Sequence, residues 1–459
     1  MKPAAKPTAS DPMLCAPISK QLLSLALPAM GSMLITSAVS LVDSLAVSRL
    51  GAAATGAVGI CFALQALIQA IGFTLGMGGG SLISLQLGSK HPAQASRTAR
   101  ISFGLSLFCG LFIAAGIFWR QPILRLLGAS DTILPLAQIY SFCLFLAAPF
   151  MTGGFCLSHL LRGEGKTQTV LTAMLLSGIL NILLDLLLTK PLGIAGVSLA
   201  ALISQAVTFL LLLSTFLTGK TTLQFTTASR PRHSAPPAAS FCATALRIIG
   251  SGSPSLLRQG LVVISSALLS RSARLYGDEA VAALSVAGKI FMIPFTLMLG
   301  YGQGLQPLIG FNYAAGNAQR IRRASHFTLW AGTLVLTAAG GLICWQAEAL
   351  IRLFLDDAEG IAMAVTTLRA SALTLPLIPA CTLANLGYQA IHRPWTASFL
   401  AAARQGLFFV PLILWLPRAW GLAGVQLSQA LADGATFVLS VPFLIYFFRK
   451  AVDKNGLKV

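Results

Sequence analysis

Residues 193–197 read Gly193-Ile-Ala-Gly-Val197, and residues 421–425 read Gly421-Leu-Ala-Gly-Val425, 228 positions later. Each opens a long apolar run. Three more matches keep nearly the same offset: Pro28 falls on Pro254 and Gly51 on Gly277 at 226, and Gly76-Met-Gly-Gly-Gly80 falls on Gly300-Tyr-Gly-Gln-Gly304 at 224. Similarity at a near-constant spacing across a whole half marks a duplicated architecture, so both halves should hold the same number of elements.

Composition says what those elements are. The 459 residues are 56% hydrophobic and 10% charged, with mean hydropathy +0.79. A soluble domain carries about 25% charged residues, so a water-exposed surface cannot be built from this chain. The apolar content also excludes disorder. Runs long enough to span a bilayer, about 20 residues each, lie at roughly 21–48, 56–86, 99–119, 135–160, 168–190, 193–218, 247–275, 280–310, 325–346, 362–389, 395–417 and 420–447. The first run is too long for a cleaved signal peptide and no cleavage pattern breaks it. The expected fold is an all-α integral membrane protein. Its twelve transmembrane helices form two six-helix lobes, 21–218 and 247–448. An even number of spans per half gives both halves one orientation, related by a pseudo-two-fold axis along the membrane normal.

Basic residues orient the chain. With the termini inside, inner segments hold 20 Lys plus Arg and outer loops hold 8. That asymmetry predicts cytoplasmic termini (1–20 and 449–459) and a cytoplasmic linker (219–246) in a bacterial inner membrane. The net charge of +19 is therefore largely topology, and nucleic acid is not implied. Clusters such as Arg320, Arg322 and Arg323 read as headgroup anchors. The linker, with Arg-Pro-Arg-His-Ser-Ala-Pro-Pro at 230–237, reads either as a joint between moving lobes or as a plain connection.

Enzyme and pump motifs fail. Gly163-Glu-Gly-Lys-Thr167 resembles the end of a Walker A loop, but Leu160 stands where a Gly is required, and Gly219-Lys-Thr221 has Ser214 at the same place. Neither follows a strand, so no ATP use is expected. The eight cysteines and five histidines show no ligand spacing, and no catalytic triad appears. No enzyme activity or cofactor is expected. The Gly76–Gly80 run reads as close helix packing or a flexible helix.

Thirteen acidic residues are present, and Asp43, Asp185 and Asp433 fall within spans. A carboxylate inside a membrane is costly unless paired, protonated or ion-bound. Asp43 and Asp185 each lie five residues from the outer end of a span that runs outward, hence at similar depth. Asn181 precedes Asp185 by four and shares its helix face. Such a set can share a proton or hold a hard monovalent cation. The repeat supplies a control: Asp43 maps to Leu269, Asn181 to Phe409 and Asp185 to Ile413. The bland alternative is an Asp pair satisfied by hydroxyls at Ser37, Ser40 or Ser177. Asp433 and Arg404 each lie 13 residues in from the outer ends of adjacent spans. They are expected to form a structural or gating ion pair, with a second coupling site as the alternative and with Lys289 and Arg258 as other partners for Asp433.

Six stretches, in order, carry a resemblance: Leu-Ala-Leu-Pro-Ala-Met (25–30); Ser-Leu-Val-Asp-Ser (40–44) with Ser-Arg-Leu-Gly (48–51); Leu-Leu-Arg-Gly-Glu-Gly (160–165); Leu-Asn-Ile-Leu-Leu-Asp (180–185); Gly-Gln-Gly-Leu-Gln-Pro-Leu-Ile-Gly-Phe-Asn-Tyr-Ala-Ala-Gly-Asn (302–317); and Arg-Gln-Gly-Leu-Phe-Phe-Val-Pro (404–411). From about Leu25 to Phe448 the chain resembles the multidrug and toxic compound extrusion (MATE) transporters, in particular the bacterial branch of MepA and DinF-like proteins. The resemblance implies a cation-coupled multidrug antiporter working by alternating access between two lobes. Asp43, Asn181 and Asp185 would be its cation site and Pro28 the residue that bends the first helix. Relatives often carry Thr where this chain has Ala201, which favours a proton over sodium as coupling ion. No metal is expected beyond a sodium ion at Asp43, Asn181 and Asp185. Gln259, Met292, Phe295, Met298, Gln303 and Gln306 are candidates to line a substrate cavity. Met292, Phe295 and Met298 can equally pack on neighbouring helices or lipid. Partners would be amphipathic, drug-like and mostly cationic small molecules and the bilayer, with the chain monomeric. The rival reading is a flippase for lipids or lipid-linked oligosaccharides in the same superfamily.

Overall fold

The computed structural model describes residues 12–225, 241–355 and 357–451. The 230–237 stretch of the expected linker and the outermost parts of both tails lie outside the described residues. Twelve long helices follow in chain order: α1 Ile18–Ser48, α2 Ala52–Gly88, α3 Pro92–Ala114, α4 Leu134–Glu164, α5 Thr167–Leu192, α6 Ile194–Leu217. The second half continues with α7 Phe241–Ala273, α8 Asp278–Ala314, α9 Ala318–Arg352, α10 Ala358–Ala390, α11 Pro394–Trp420 and α12 Leu422–Tyr446. No strand occurs among the described residues.

Every expected span is matched by a helix, and the helices overrun the apolar windows. The run expected at 325–346 belongs to a helix that starts at Ala318 and ends at Arg352, with Arg320, Arg322, Arg323 and Glu348 in its flanks. Hydropathy registers only the hydrocarbon layer, whereas backbone hydrogen bonding continues past it. Eleven of the helices are long and apolar enough to cross a membrane. The other, α7, has 33 residues, ample for a core about 30 Å thick, but Arg247, Arg258, Arg271 and several serines lower its apolarity.

The repeat extends to the backbone. Gly51 and Gly277 cap α2 and α8 at φ/ψ 101/173° and 98/167°, and Gly193 and Gly421 cap α6 and α12 at 59/−131° and 57/−137°. These positive-φ turns suit glycine. Gly196 and Gly424 leave no room for a Cβ, because the carbonyls of Leu188 and Leu416 occupy that space. The motif that marks the repeat thus folds each sixth helix tightly back on the fifth.

Packing divides the chain into two compact units: Met1–Ala26 with Leu257–Val459, and Leu27–Leu256. The divisions fall inside α1 and α7, beside Pro28 and Pro254, where a proline removes one helical hydrogen bond. In the Leu27–Leu256 unit, Ile248 and Ala245 of α7 pack with Leu75 and Leu82 of α2 and Ile101 of α3. Gly78 and Gly252 bring α2 and α7 into backbone contact there, against Ile248 and Thr74. In the other unit, Gly304 of α8 meets the Ala26 backbone, Asn312 Nδ2 donates to Met13 O at 3.1 Å, and Arg320 Nη2 donates to Ala16 O at 2.8 Å. The glycine runs therefore seat the first part of α7 on α2 and the first part of α1 on α8.

Candidate functional site

The Leu27–Leu256 unit places α1 beside α5 through small residues. A Cβ on Gly31 would meet Leu171 Cδ1 at 3.0 Å, and one on Gly178 would meet Ile35 Cγ2 at 2.7 Å and Val39 Cγ2 at 3.3 Å. Asp43 follows Val39 by one turn. Asn181 and Asp185 follow Gly178 by one and two turns on the same face. The close approach below thus carries the three polar side chains together above it. The carboxyls of Asp43 and Asp185 stand close enough to act on each other electrostatically. Two carboxylates hold no hydrogen between them, so only a proton can turn that approach into a bond.

Asp185 is 1% and Asn181 2% exposed, and Asp43 is half-buried. No donor among the described residues reaches Asp43 Oδ1, Asp185 Oδ1, Asp185 Oδ2 or Asn181 Oδ1. Nor does a Lys or Arg among the described residues form an ion pair with either carboxyl. Among the described residues the hydroxyls of Ser37, Ser40 and Ser177 donate no hydrogen bond to these oxygens; Ser177 Oγ, for example, bonds the Met174 carbonyl at 3.3 Å. Four buried oxygens without donors form an acceptor set suited to a proton or a hard cation and unsuited to a soft transition metal. A buried acceptor left unpaired costs about 1–3 kcal/mol, so the cluster has a strong demand for positive charge.

Sequence reasoning passed over two neighbours. Ser204 of α6 receives a 3.2 Å hydrogen bond from Asn181 Nδ2, and its own hydroxyl donates to Ala201 O at 3.0 Å. A hydroxyl therefore stands one turn beyond the position that Ala201 leaves without one. Tyr140 of α4, 7% exposed, lies within electrostatic range of both carboxyls. Ser204 was legible from its spacing of three from Ala201, whereas Tyr140 was not, because α4 reaches the site only through tertiary packing.

The other unit repeats the scaffold and changes the chemistry. Gly406 of α11 approaches Leu261 of α7, its Cβ position 2.9 Å from Leu261 Cδ1, as Gly178 approaches Ile35. There Phe409 and Ile413 are buried with Val425 and Ala432, and Leu269 packs against them. Charge appears elsewhere. A π-helical turn, Ala403–Phe409, interrupts α11 and carries Arg404. Arg404 Nε donates to Asp433 Oδ1 at 2.7 Å and Nη2 to Oδ2 at 3.2 Å. Gln429 Nε2 donates to Oδ1 at 2.8 Å and Thr374 Oγ1 to Oδ2 at 3.2 Å. Asp433 is fully buried, and the Arg404 side chain is 15% exposed. Arg404 also lies over the Phe295 ring, 4.2 Å from its centroid. Arg258 donates instead to Asn385 Oδ1 at 3.1 Å. Gln429 was legible at four residues from Asp433; Thr374, 59 residues distant, was not.

The residues suggested for a substrate cavity are not alike. Met292 is 46% exposed, Met298 is buried with its sulfur against the Gly332 position, and Gln303 and Gln306 are buried. Phe295 and Gln259 are half-buried.

The MatE family model matches the chain twice, over residues 28–187 and 254–415. The chain belongs to the MatE family. Both matches begin at the prolines that head the repeat, so the family unit is one half and this MatE protein carries two. Among curated relatives, the multidrug export protein MepA of Staphylococcus haemolyticus (strain JCSC1435) is 26% identical over 406 residues, covering 87% of each chain. Among solved structures, the outward-facing conformation of a multidrug resistance MATE transporter of the MOP superfamily matches at TM-score 0.89 and 24% identity, over 98% of this chain and 99% of that one. A MOP superfamily transporter from Pyrococcus furiosus, described as having a binding pocket of reverse polarity that suggests a different function, matches at TM-score 0.87 and 24% identity, over 97% and 100%. At these identities the structural likeness establishes the fold, and function has to be argued from the side chains.

Proposed function

We infer that this MatE protein is a multidrug exporter that exchanges a cation, a proton rather than sodium, for amphipathic and mostly cationic small molecules by alternating access between its two lobes. It is a multi-pass membrane protein, placed by this reading in a bacterial inner membrane with both termini cytoplasmic. It works as a monomer without ATP. The observation that carries the reading is the cluster of four buried, donor-less oxygens on Asp43, Asn181 and Asp185. The MepA name of its relatives supports the export half of the reading.

The chemistry follows from charge. Loaded with one cation, the two carboxyls are bridged, and α1 and α5 are held at the Gly178 contact. Unloaded, two neighbouring like charges repel in a medium that screens poorly. Occupancy thereby sets the position of α1, the helix that contains Pro28. The absence of a hydroxyl at Ala201 leaves fewer ligands for sodium, and a proton needs only the two carboxyls. The test is efflux of a fluorescent cationic drug in everted membrane vesicles, with proton and sodium gradients imposed separately. Transport driven by the proton gradient without sodium is the expected result. Transport only with sodium reverses the choice of ion, and transport with neither gradient rejects the coupled mechanism.

A further inference from the structure

The Arg404–Asp433 pair has an unused side. Asp433 accepts four hydrogen bonds, from Arg404 Nε and Nη2, Gln429 and Thr374. That fills the acceptor capacity of a carboxylate, so Asp433 has little left to offer a cationic ligand. Arg404 is not filled. A guanidinium has five N–H donors in a rigid fork, and only Nε and Nη2 donate to Asp433. Among the described residues Nη1 has no partner. Arg404 also stays partly accessible, at 15%.

The face of the same guanidinium is set against an aromatic side chain. Phe291 and Phe295 stack at 6.3 Å with planes 22° apart, and the guanidinium lies over Phe295. Arg404 sits well inside α11, where a cation facing lipid is costly, so the edge opens towards protein. The π-helical turn that presents Arg404 is a device found frequently at functional sites. Its positive charge is held in place by Asp433, and its remaining donor stands beside Phe295, which is half-buried, with Phe291 buried behind it.

We propose that the free edge of Arg404, beside the half-buried Phe295 ring, is a recognition site for the carboxylate of an aromatic amphipathic molecule, so that the exporter accepts aromatic acids as well as cations. The proposal deepens the exporter reading and rests on it for the claim that such ligands are transported. Its test reads binding alone, without a gradient, and so stands apart from the coupling mechanism.

The test is fluorescence anisotropy on the purified full chain in detergent, with rhodamine 110, which carries a free carboxylate, and rhodamine 123, its methyl ester. The acid should bind about tenfold tighter, the worth of one charge-assisted hydrogen bond. In the double variant Arg404→Gln, Asp433→Asn, which removes both charges together, the ratio should fall to about one. A ratio unchanged in the variant overturns the proposal, as does a wild type that binds the ester as tightly as the acid or binds the acid not at all. Should the variant fail to fold, competition on the wild type decides: 2-naphthoate should displace rhodamine 110 about tenfold better than 2-naphthamide by the same hydrogen-bond arithmetic, and equal displacement rejects the site.

Discussion

Asp43 and Asp185 differ from Asp433 in what surrounds their oxygens, and the difference decides what each can do. Donors saturate Asp433, whereas none among the described residues reaches the buried oxygens of the other two. Asp43→Asn or Asp185→Asn keeps the volume but cannot release a proton or hold a negative charge. Each variant should insert and purify normally, and gradient-driven efflux in vesicles should fall to the rate without a gradient. Full transport by the double variant would return both residues to a structural role. Gly178 is the residue on which the geometry depends. Gly178→Ala places a methyl 2.7 Å from Ile35 Cγ2, an overpacking worth about 1–3 kcal/mol, visible as a lower thermal midpoint with weaker efflux. Gly250→Ala, with nothing within 4 Å of the added Cβ, should spare both. The pairing of Asn181 with Asp185 was readable from a spacing of four. The contact that brings Asp43 to them was not, because it depends on which helix lies beside α1.

Among the helices, α5 and α11 are repeats of one another with opposite fillings. One presents Asn181 and Asp185, while the other presents Phe409 and Ile413 and spends a π-helical turn on Arg404. The ion pair joins α11 to α12 and, through Thr374, to the break in α10 at Leu375–Leu377. Removing one partner strands a buried charge at a cost of about 3–5 kcal/mol. Arg404→Ala and Asp433→Ala should therefore each lower the folded yield on size exclusion, with the double variant recovering part of the loss. Additive losses would show that the two residues act independently. Equal depth in adjacent spans made the pair legible. The π-helical turn carries no composition signal; it packs on α7 at Leu261 and Ser265 and on α12 at Asp433.

For the whole molecule, the asymmetry of 20 basic residues against 8 predicts cytoplasmic termini and linker. A single cysteine introduced in the linker should stay unlabelled by an impermeant maleimide in intact cells and react after permeabilisation. Labelling in intact cells would invert the topology. Pro28 and Pro254 stand beside the points where the chain passes from one compact unit to the other.

By itself the sequence determined the membrane class, the number of helices, the duplication and the three intramembrane carboxylates. These rest on local quantities: the apolar length needed to cross hydrocarbon, the cost of a charge within it, and similarity at a constant offset. Tertiary structure alone decided where the units divide, which hydroxyls and rings stand beside each carboxyl, and that Asp433 is saturated while Asp43 and Asp185 are not. Those properties depend on contacts between helices far apart in the chain. Small residues such as Gly178, Gly304 and Gly406 select such contacts by allowing close approach, and a glycine in a sequence does not say which helix approaches it.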